Sequence, residues 1–188
     1  MYRGNSGRNK NTIWMIIGIN IFVYIITLVQ PLIPYNFGLV PQDIASRPWI
    51  IITSMFIHRS LWHLVANMWT LYFFSSMLSS IIGDKRYLAV YFIGGIVGGI
   101  FYALIASPNS IAIGASGAIF ALGGALAILR PKISVYVFPI PAPIPLWVAV
   151  IGGFFIISFW PGIAWQAHLG GLIAGLAIGY FYKIKQRF

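Results

Sequence analysis

The sequence contains no cysteine, which excludes disulfides, thiolate metal sites and a cysteine nucleophile. It is almost as poor in acid, with Asp43 and Asp84 as its only carboxylate side chains. Charge of either sign is scarce: 7% of residues are charged, where soluble domains carry about a quarter. An ordinary soluble fold is thereby excluded. No period of repeat-protein length recurs, and the outer end of the first apolar run, Leu28-Val29-Gln30-Pro31-Leu32, lacks the small residues that signal cleavage needs. That run is expected to remain as an anchor. What fills the chain instead is apolar, at 60% hydrophobic residues and a mean hydropathy of +0.89, the composition of a polytopic membrane protein.

The uncharged runs are long enough to count spans, each needing about 20 residues. Residues 11–42 hold one, ending near Pro31 and Pro34, and residues 60–83 hold a second. The 43-residue run from Tyr87 to Leu129 is interrupted by Ser107-Pro108-Asn109-Ser110, and the 50-residue run from Ile133 to Tyr182 by Trp160-Pro161-Gly162. Each reads as a hairpin of two spans. The expected fold is therefore all-α, a single membrane domain over residues 1–188 with six transmembrane helices and short tails at 1–10 and 183–188. Four prolines at alternate positions within Phe138–Pro145 cannot lie inside a helix and predict a stiff extended connector. The fifth span, from about Leu146 to Trp160, is then short and expected to be loosely held.

Ten of the twelve basic residues fall on one side of this arrangement: Arg3, Arg8, Lys10, Lys85, Arg86, Arg130, Lys132, Lys183, Lys185 and Arg187. Arg47 and Arg59 fall on the other. The positive-inside rule then places both termini in the cytosol of a multi-pass protein of the cell membrane. The formal charge of +10 is a topology signal. Nucleic acid is not an expected partner, because the basic residues are divided among four short segments flanking apolar spans.

In this orientation the second, fourth and sixth spans run inward and carry their polar residues near their outer ends. His63 and Asn67, four apart, share one helical face. Ser116 lies 14 residues before Arg130, and His168 lies 15 before Lys183. Both therefore stand about 21 to 22 Å above the basic ends of their helices at ~1.5 Å per residue. Unpaired polar groups in hydrocarbon cost several kcal/mol, so this layer, about 6 to 10 Å below the outer boundary, needs mutual partners or water. Back-bonding to its own helix is the ordinary fate of a transmembrane serine. Gly114 and Gly117, flanking Ser116, remove bulk there and loosen the first turn. Gly171, Gly175 and Gly179 form a small-residue stripe aligned with His168, suited to close packing against the fourth span with its Gly114, Gly117, Gly123 and Gly124. Phe120, one turn below Ser116, is placed to stack on the imidazole.

These residues resemble the rhomboid intramembrane serine proteases in their common prokaryotic six-span form. The resemblance rests on Gly114-Ala115-Ser116-Gly117, on Ala167-His168-Leu169-Gly170-Gly171, and on His58 followed by His63 and Asn67, in the order and topology of that family. It implies Ser116 as nucleophile, His168 as general base, and an oxyanion hole of Asn67, His63 and the Ser116 backbone N–H. It further implies that the fifth span and the Trp160–Gln166 loop act as lateral gate and cap. Partners would be transmembrane protein substrates within the lipid bilayer, with the site near the extracytoplasmic face and no metal or cofactor.

Soluble serine proteases add a carboxylate behind the histidine. Here Asp84 lies in a cytosolic turn and Asp43 in the outer loop, so the expectation is a Ser116/His168 dyad. Of the two side-chain donors Asn67 is the stronger candidate, since His63 could instead orient the loop between the first two spans, and His58 reads as a loop-packing or interfacial residue. Two features depart from the family: Leu78–Gly83 lacks the acid and arginine that often brace the outer loop, and Phe120 stands where tyrosine is common. Two other readings remain. A catalytically inactive relative that binds membrane clients would be expected to lack Ser116 or His168, and a small transporter would be expected to show inverted repeats and polar residues near the midplane.

Overall fold

The computed structural model describes residues 11–137 and 139–185. Residues 1–10, Phe138 and residues 186–188 lie outside the described residues, and with them Arg3, Arg8, Lys10 and Arg187. The architecture is helical. Long helices form at α1 (Asn11–Val29), α4 (Leu61–Ile82), α5 (Asp84–Ile105) and α8 (Trp165–Lys185), joined by short helices α2 (Ile33–Phe37) and α3 (Ile50–Thr53) between α1 and α4. Two apolar helices of intermediate length, α6 (Ser116–Leu129) and α7 (Leu146–Ser158), complete the set. The four long helices are long and apolar enough to cross a membrane.

α6 is the axis of the bundle. It is apolar on every side and buried on nearly every side, from Gly117 through Leu129, as expected for a helix enclosed by other helices. Its 14 residues reach only about 21 Å. The sequence reading places a break at Ser107–Ser110, but the non-helical stretch runs from Ala106 to Ala115. Backbone outside a helix at this depth must find partners. Here Leu39 and Ala112 exchange both N–H···O bonds at 2.9 Å, and Gly114 N–H donates to the Ser54 carbonyl at 2.9 Å. The segment between α1 and α4 thus supplies the hydrogen bonds that a longer α6 would have made internally.

α8 lies against α6 with backbones in contact. A Cβ on Gly171 would overlap the Gly117 carbonyl, one on Gly175 the Ala121 carbonyl, and one on Gly179 would come within 2.8 Å of Ala125 Cα. The stripe is as read from the sequence, and Gly117 and Gly124 face α8 as expected, but Ala121 and Ala125 stand in the seam where Gly114 and Gly123 were expected. Gly123, about 200° around the helix from Ala121, faces Phe74 and Val150, and Gly114 faces His63. Helical phase explains the difference, because residues three, four and seven apart share one seam while a residue two away turns from it.

α7 fully buries a single row, with Ala149 and Ile151 packed partly buried beside it. Leu146, Val150, Phe154 and Ser158 are buried, while Phe155, Ile156 and Ile157 point outward. The proline-rich connector is more structured than expected. Its ends form a two-residue antiparallel ladder, β1 (Ser134–Val135) with β2 (Ile144–Pro145), closed by Leu146 N–H to the Ile133 carbonyl at 2.7 Å. Pairing across the intervening residues 136–143 leaves no periodic trace in the sequence. At the far end, α8 continues to Lys185, so Lys183 and Lys185 belong to the helix and not to a tail. Their charges suit its C-terminal dipole, and Lys185 Nζ rests 4.5 Å from the Phe181 ring centre.

The α6–α8 seam predicts a sharp contrast between glycines. Gly175→Val should destabilise the fold by about 1–3 kcal/mol through overpacking, seen as a lower thermal unfolding midpoint in detergent. Gly152→Ala, where an added Cβ meets nothing within 4 Å, should leave that midpoint unchanged or slightly raised.

Candidate active site

Ser116 is the first residue of α6 and follows Gly114, whose φ of 122° is a conformation glycine tolerates and other residues rarely adopt. The turn aims the serine side chain away from its own helix. The two anchors on Ala112 and Gly114 hold the turn from the segment between α1 and α4. At a helix start the first N–H groups have no intrahelical acceptor, so the Ser116 amide sits where developing negative charge is favoured.

His168 occupies the first turn of α8 and is 3% exposed. Its Nε2 lies 2.8 Å from Ser116 Oγ, and its Nδ1 lies 2.8 Å from Ser158 Oγ on α7. Phe120 covers the ring with centroids 4.6 Å apart and planes tilted by 38°. The structure therefore brings together the alcohol and imidazole that the sequence places at equal depth, and sets the expected aromatic beside them. An imidazole nitrogen at this distance from a hydroxyl can accept its proton.

Ser158 was not identifiable from the sequence. The acid count correctly implies that no carboxylate stands behind His168: Asp43 pairs with Arg47 between α1 and α4, and Asp84 opens α5. It does not exclude a hydroxyl. The available signal was the spacing Leu146, Val150, Phe154, Ser158, which sets a polar residue on an otherwise apolar row. Composition alone does not say that this row faces inward.

His63 and Asn67 share one face of α4 as expected. Ser60 caps the helix by accepting from His63 N–H at 3.2 Å. His63 Nδ1 accepts from the Arg59 amide at 3.3 Å, which leaves the proton of the neutral ring on Nε2. That nitrogen faces the space beside Gly114: a Cβ there would lie 2.8 Å from His63 Nε2 and 3.8 Å from Ser116 Oγ. Gly114 is thus required twice, for its backbone angle and for the cleft it leaves between His63 and Ser116. Asn67 donates from Nδ2 to the His63 carbonyl at 2.8 Å and buries its Oδ1 without a protein partner. Of the two, His63 addresses the cleft more directly.

A cavity of about 30 Å³, lined in part by Ser54, Met55, Gly95, Gly114 and Ser116, adjoins the serine and has room for one water molecule. His58 packs edge-on against His63 at 4.9 Å and is 1% exposed. It is a buried packing residue of the loop, not an interfacial one. Among the described residues no three His, Cys, Asp or Glu side chains gather as a metal site.

Residues 45–185 match the family model of the rhomboid domain. The chain belongs to the rhomboid family. This rhomboid is 28% identical over 184 residues to "Rhomboid protein 1, mitochondrial" of Saccharomyces cerevisiae, covering 92% of its own length and 53% of the yeast protein's. It is 27% identical over 188 residues to "Rhomboid-like protease 3" of Toxoplasma gondii, covering 93% of this chain and 70% of that one. "RHOMBOID-like protein 6, mitochondrial" of Arabidopsis thaliana is 34% identical over 141 residues, which cover 74% of this rhomboid and 45% of the plant protein. The chain thus spans about half the length of the two mitochondrial relatives.

Burial first, and then the neighbouring His63, hold the His58 imidazole down at about 3. In the unfolded chain the same ring takes a proton near pH ~6.5. Its contribution to stability is therefore complete above that value and is lost as pH falls toward the folded value. The thermal unfolding midpoint in detergent should drop between about pH 7 and pH 4, and His58→Phe should flatten the slope.

Proposed function

We propose that this rhomboid-family protein is an intramembrane serine endopeptidase that hydrolyses peptide bonds in or near transmembrane segments of other proteins. One observation carries the reading: the 2.8 Å approach of His168 Nε2 to Ser116 Oγ, in a buried setting where neither group is needed to satisfy its own helix. Ser116 Oγ attacks the carbonyl carbon of the scissile bond as its proton passes to His168 Nε2. The carbonyl oxygen becomes an oxyanion in the cleft beside Gly114, where the Ser116 N–H and His63 Nε2–H are the donors, with Asn67 supporting His63 from one turn below. The imidazolium returns its proton to the departing amine, and an acyl-enzyme remains on Ser116. Water then enters and attacks the ester carbon as its proton passes to His168 Nε2, and the imidazolium returns that proton to Ser116 Oγ as the ester bond breaks and the acid leaves.

The reading includes six membrane spans, with α6 and α7 as the short members, and both termini in the cytosol of a cell-membrane protein. It places Ser116 toward the extracytoplasmic face. A substrate helix hides its carbonyls in its own hydrogen bonds, so the cleaved segment must unwind locally, and residues that weaken helices are expected near the cut. α7 and the turn at Trp160–Gly162 form the flank through which such a segment would enter, because α7 fully buries only one row of side chains.

Purified protein reconstituted with a single-span substrate should yield two fragments. Ser116→Ala or His168→Ala should abolish them, while His63→Ala should lower kcat by about 10²- to 10³-fold, the cost of losing one oxyanion donor. Cleavage that survives Ser116→Ala would sink the reading. The natural absence of cysteine allows a direct topology test in bacterial cells. A single cysteine at Ser110 should react with a membrane-impermeant maleimide from outside, and one at Lys132 should not.

A further inference from the structure

We propose that Ser158 is a positioning residue that holds His168 in the tautomer able to act as a base, an inference that rests on the protease reading above. Ser158 is the last residue of α7, is 1% exposed, and sits 2.8 Å from His168 Nδ1. The usual fate of a serine in a membrane helix is a bond to the carbonyl one turn back. Ser158 instead reaches a side chain ten residues later, across the Trp160-Pro161-Gly162 turn.

The two ring nitrogens of His168 are each met by a hydroxyl, so tautomer and role are linked. For Nε2 to take the Ser116 proton it must present its lone pair, which puts the ring proton on Nδ1. Ser158 Oγ then accepts from Nδ1–H. Once Nε2 is protonated, both nitrogens are donors, and Ser158 remains as the acceptor for one of them in a site shielded from water. Replacing Ser158 by alanine leaves that donor unsatisfied in the charged state, where the loss is greatest. The same bond ties the base to α7. Phe154, one turn earlier on that helix, meets Phe120 edge-on at 5.8 Å, and Phe120 covers His168. Any displacement of α7 therefore removes the acceptor and the Phe154 edge that steadies Phe120 of α6, and the base is competent only with α7 seated.

The test compares wild type, Ser158→Ala and Ser158→Thr, matched for thermal unfolding midpoint. It uses three readouts: kcat and KM on a single-span substrate, the rate at which a small fluorophosphonate modifies Ser116, and the ¹⁵N shifts of the His168 ring. Ser158→Ala should lower kcat and the modification rate by about 10- to 100-fold with little change in KM, and should reduce the population protonated on Nδ1. Ser158→Thr, which keeps the hydroxyl, should restore both. An alanine variant with the wild-type modification rate and tautomer would overturn the proposal. So would a loss that threonine fails to restore, which would assign Ser158 to packing. If wild type neither cleaves nor reacts but the ring tautomer still follows Ser158, the protease reading fails and the hold of Ser158 on His168 stands.

Discussion

The contact that organises this protein is backbone against backbone, where Gly117, Ala121 and Ala125 of α6 meet Gly171, Gly175 and Gly179 of α8. Apolar side chains provide little reason for two helices to prefer one another over lipid, so association depends on close dispersion contact, which only small residues permit. The seam sets the translation and rotation of α8 relative to α6. Ser116 and His168 both lie just beyond one end of this seam, one residue before Gly117 and three before Gly171, so their 2.8 Å separation follows from the fit between the two helices. A single added methyl group at Gly171 would meet the Gly117 carbonyl and move the histidine before it touched the serine.

A second constraint acts on the backbone itself. α6 begins deep in the bundle because residues 106–115 descend without helical hydrogen bonds, and this is permitted only because the segment between α1 and α4 pairs with them. The Leu39–Ala112 exchange and the Gly114–Ser54 bond are therefore part of the site, although none of the four residues touches the Ser116–His168 pair. They free the first turn of α6 to present its amides and hydroxyl to a cleft instead of to a preceding helical turn. Ser116 and His168 meet as the residue counts from Arg130 and Lys183 lead one to expect, because residues 116–129 and 168–183 are helical, whereas residues 111–115, expected as helix beyond the break at 107–110, are not.

Legibility differed among the site residues for identifiable reasons. His63 and Asn67 stand four apart in one helix, and Ser116 and His168 carry flanking glycines, so local spacing and composition mark all four. Phe120 was readable as one turn below Ser116. Ser158 carries no such mark: a lone serine ending a short apolar helix has the same appearance whether it faces lipid, its own carbonyls or a histidine. The division of labour between His63 and Asn67 was equally hidden, because it turns on the Arg59 amide bond to His63 Nδ1, a contact within the cap of α4. The glycines of α6 were visible as a group, yet only helical phase separates Gly117 on the α8 seam from Gly123 on the α7 side.

The apolar runs and the scarcity of charge determined the class of protein and the order of its long helices, and the two acids, by their positions in the chain, left no carboxylate near the histidine. Those properties depend on transfer free energies and covalent spacing, which are written residue by residue. Tertiary structure decided where α6 begins, which residues of α6 the glycines of α8 meet, and that Ser158 reaches His168. Each of these depends on a partner distant in the chain or on the turn between two helices, and a contact of that kind exists only once the helices have packed.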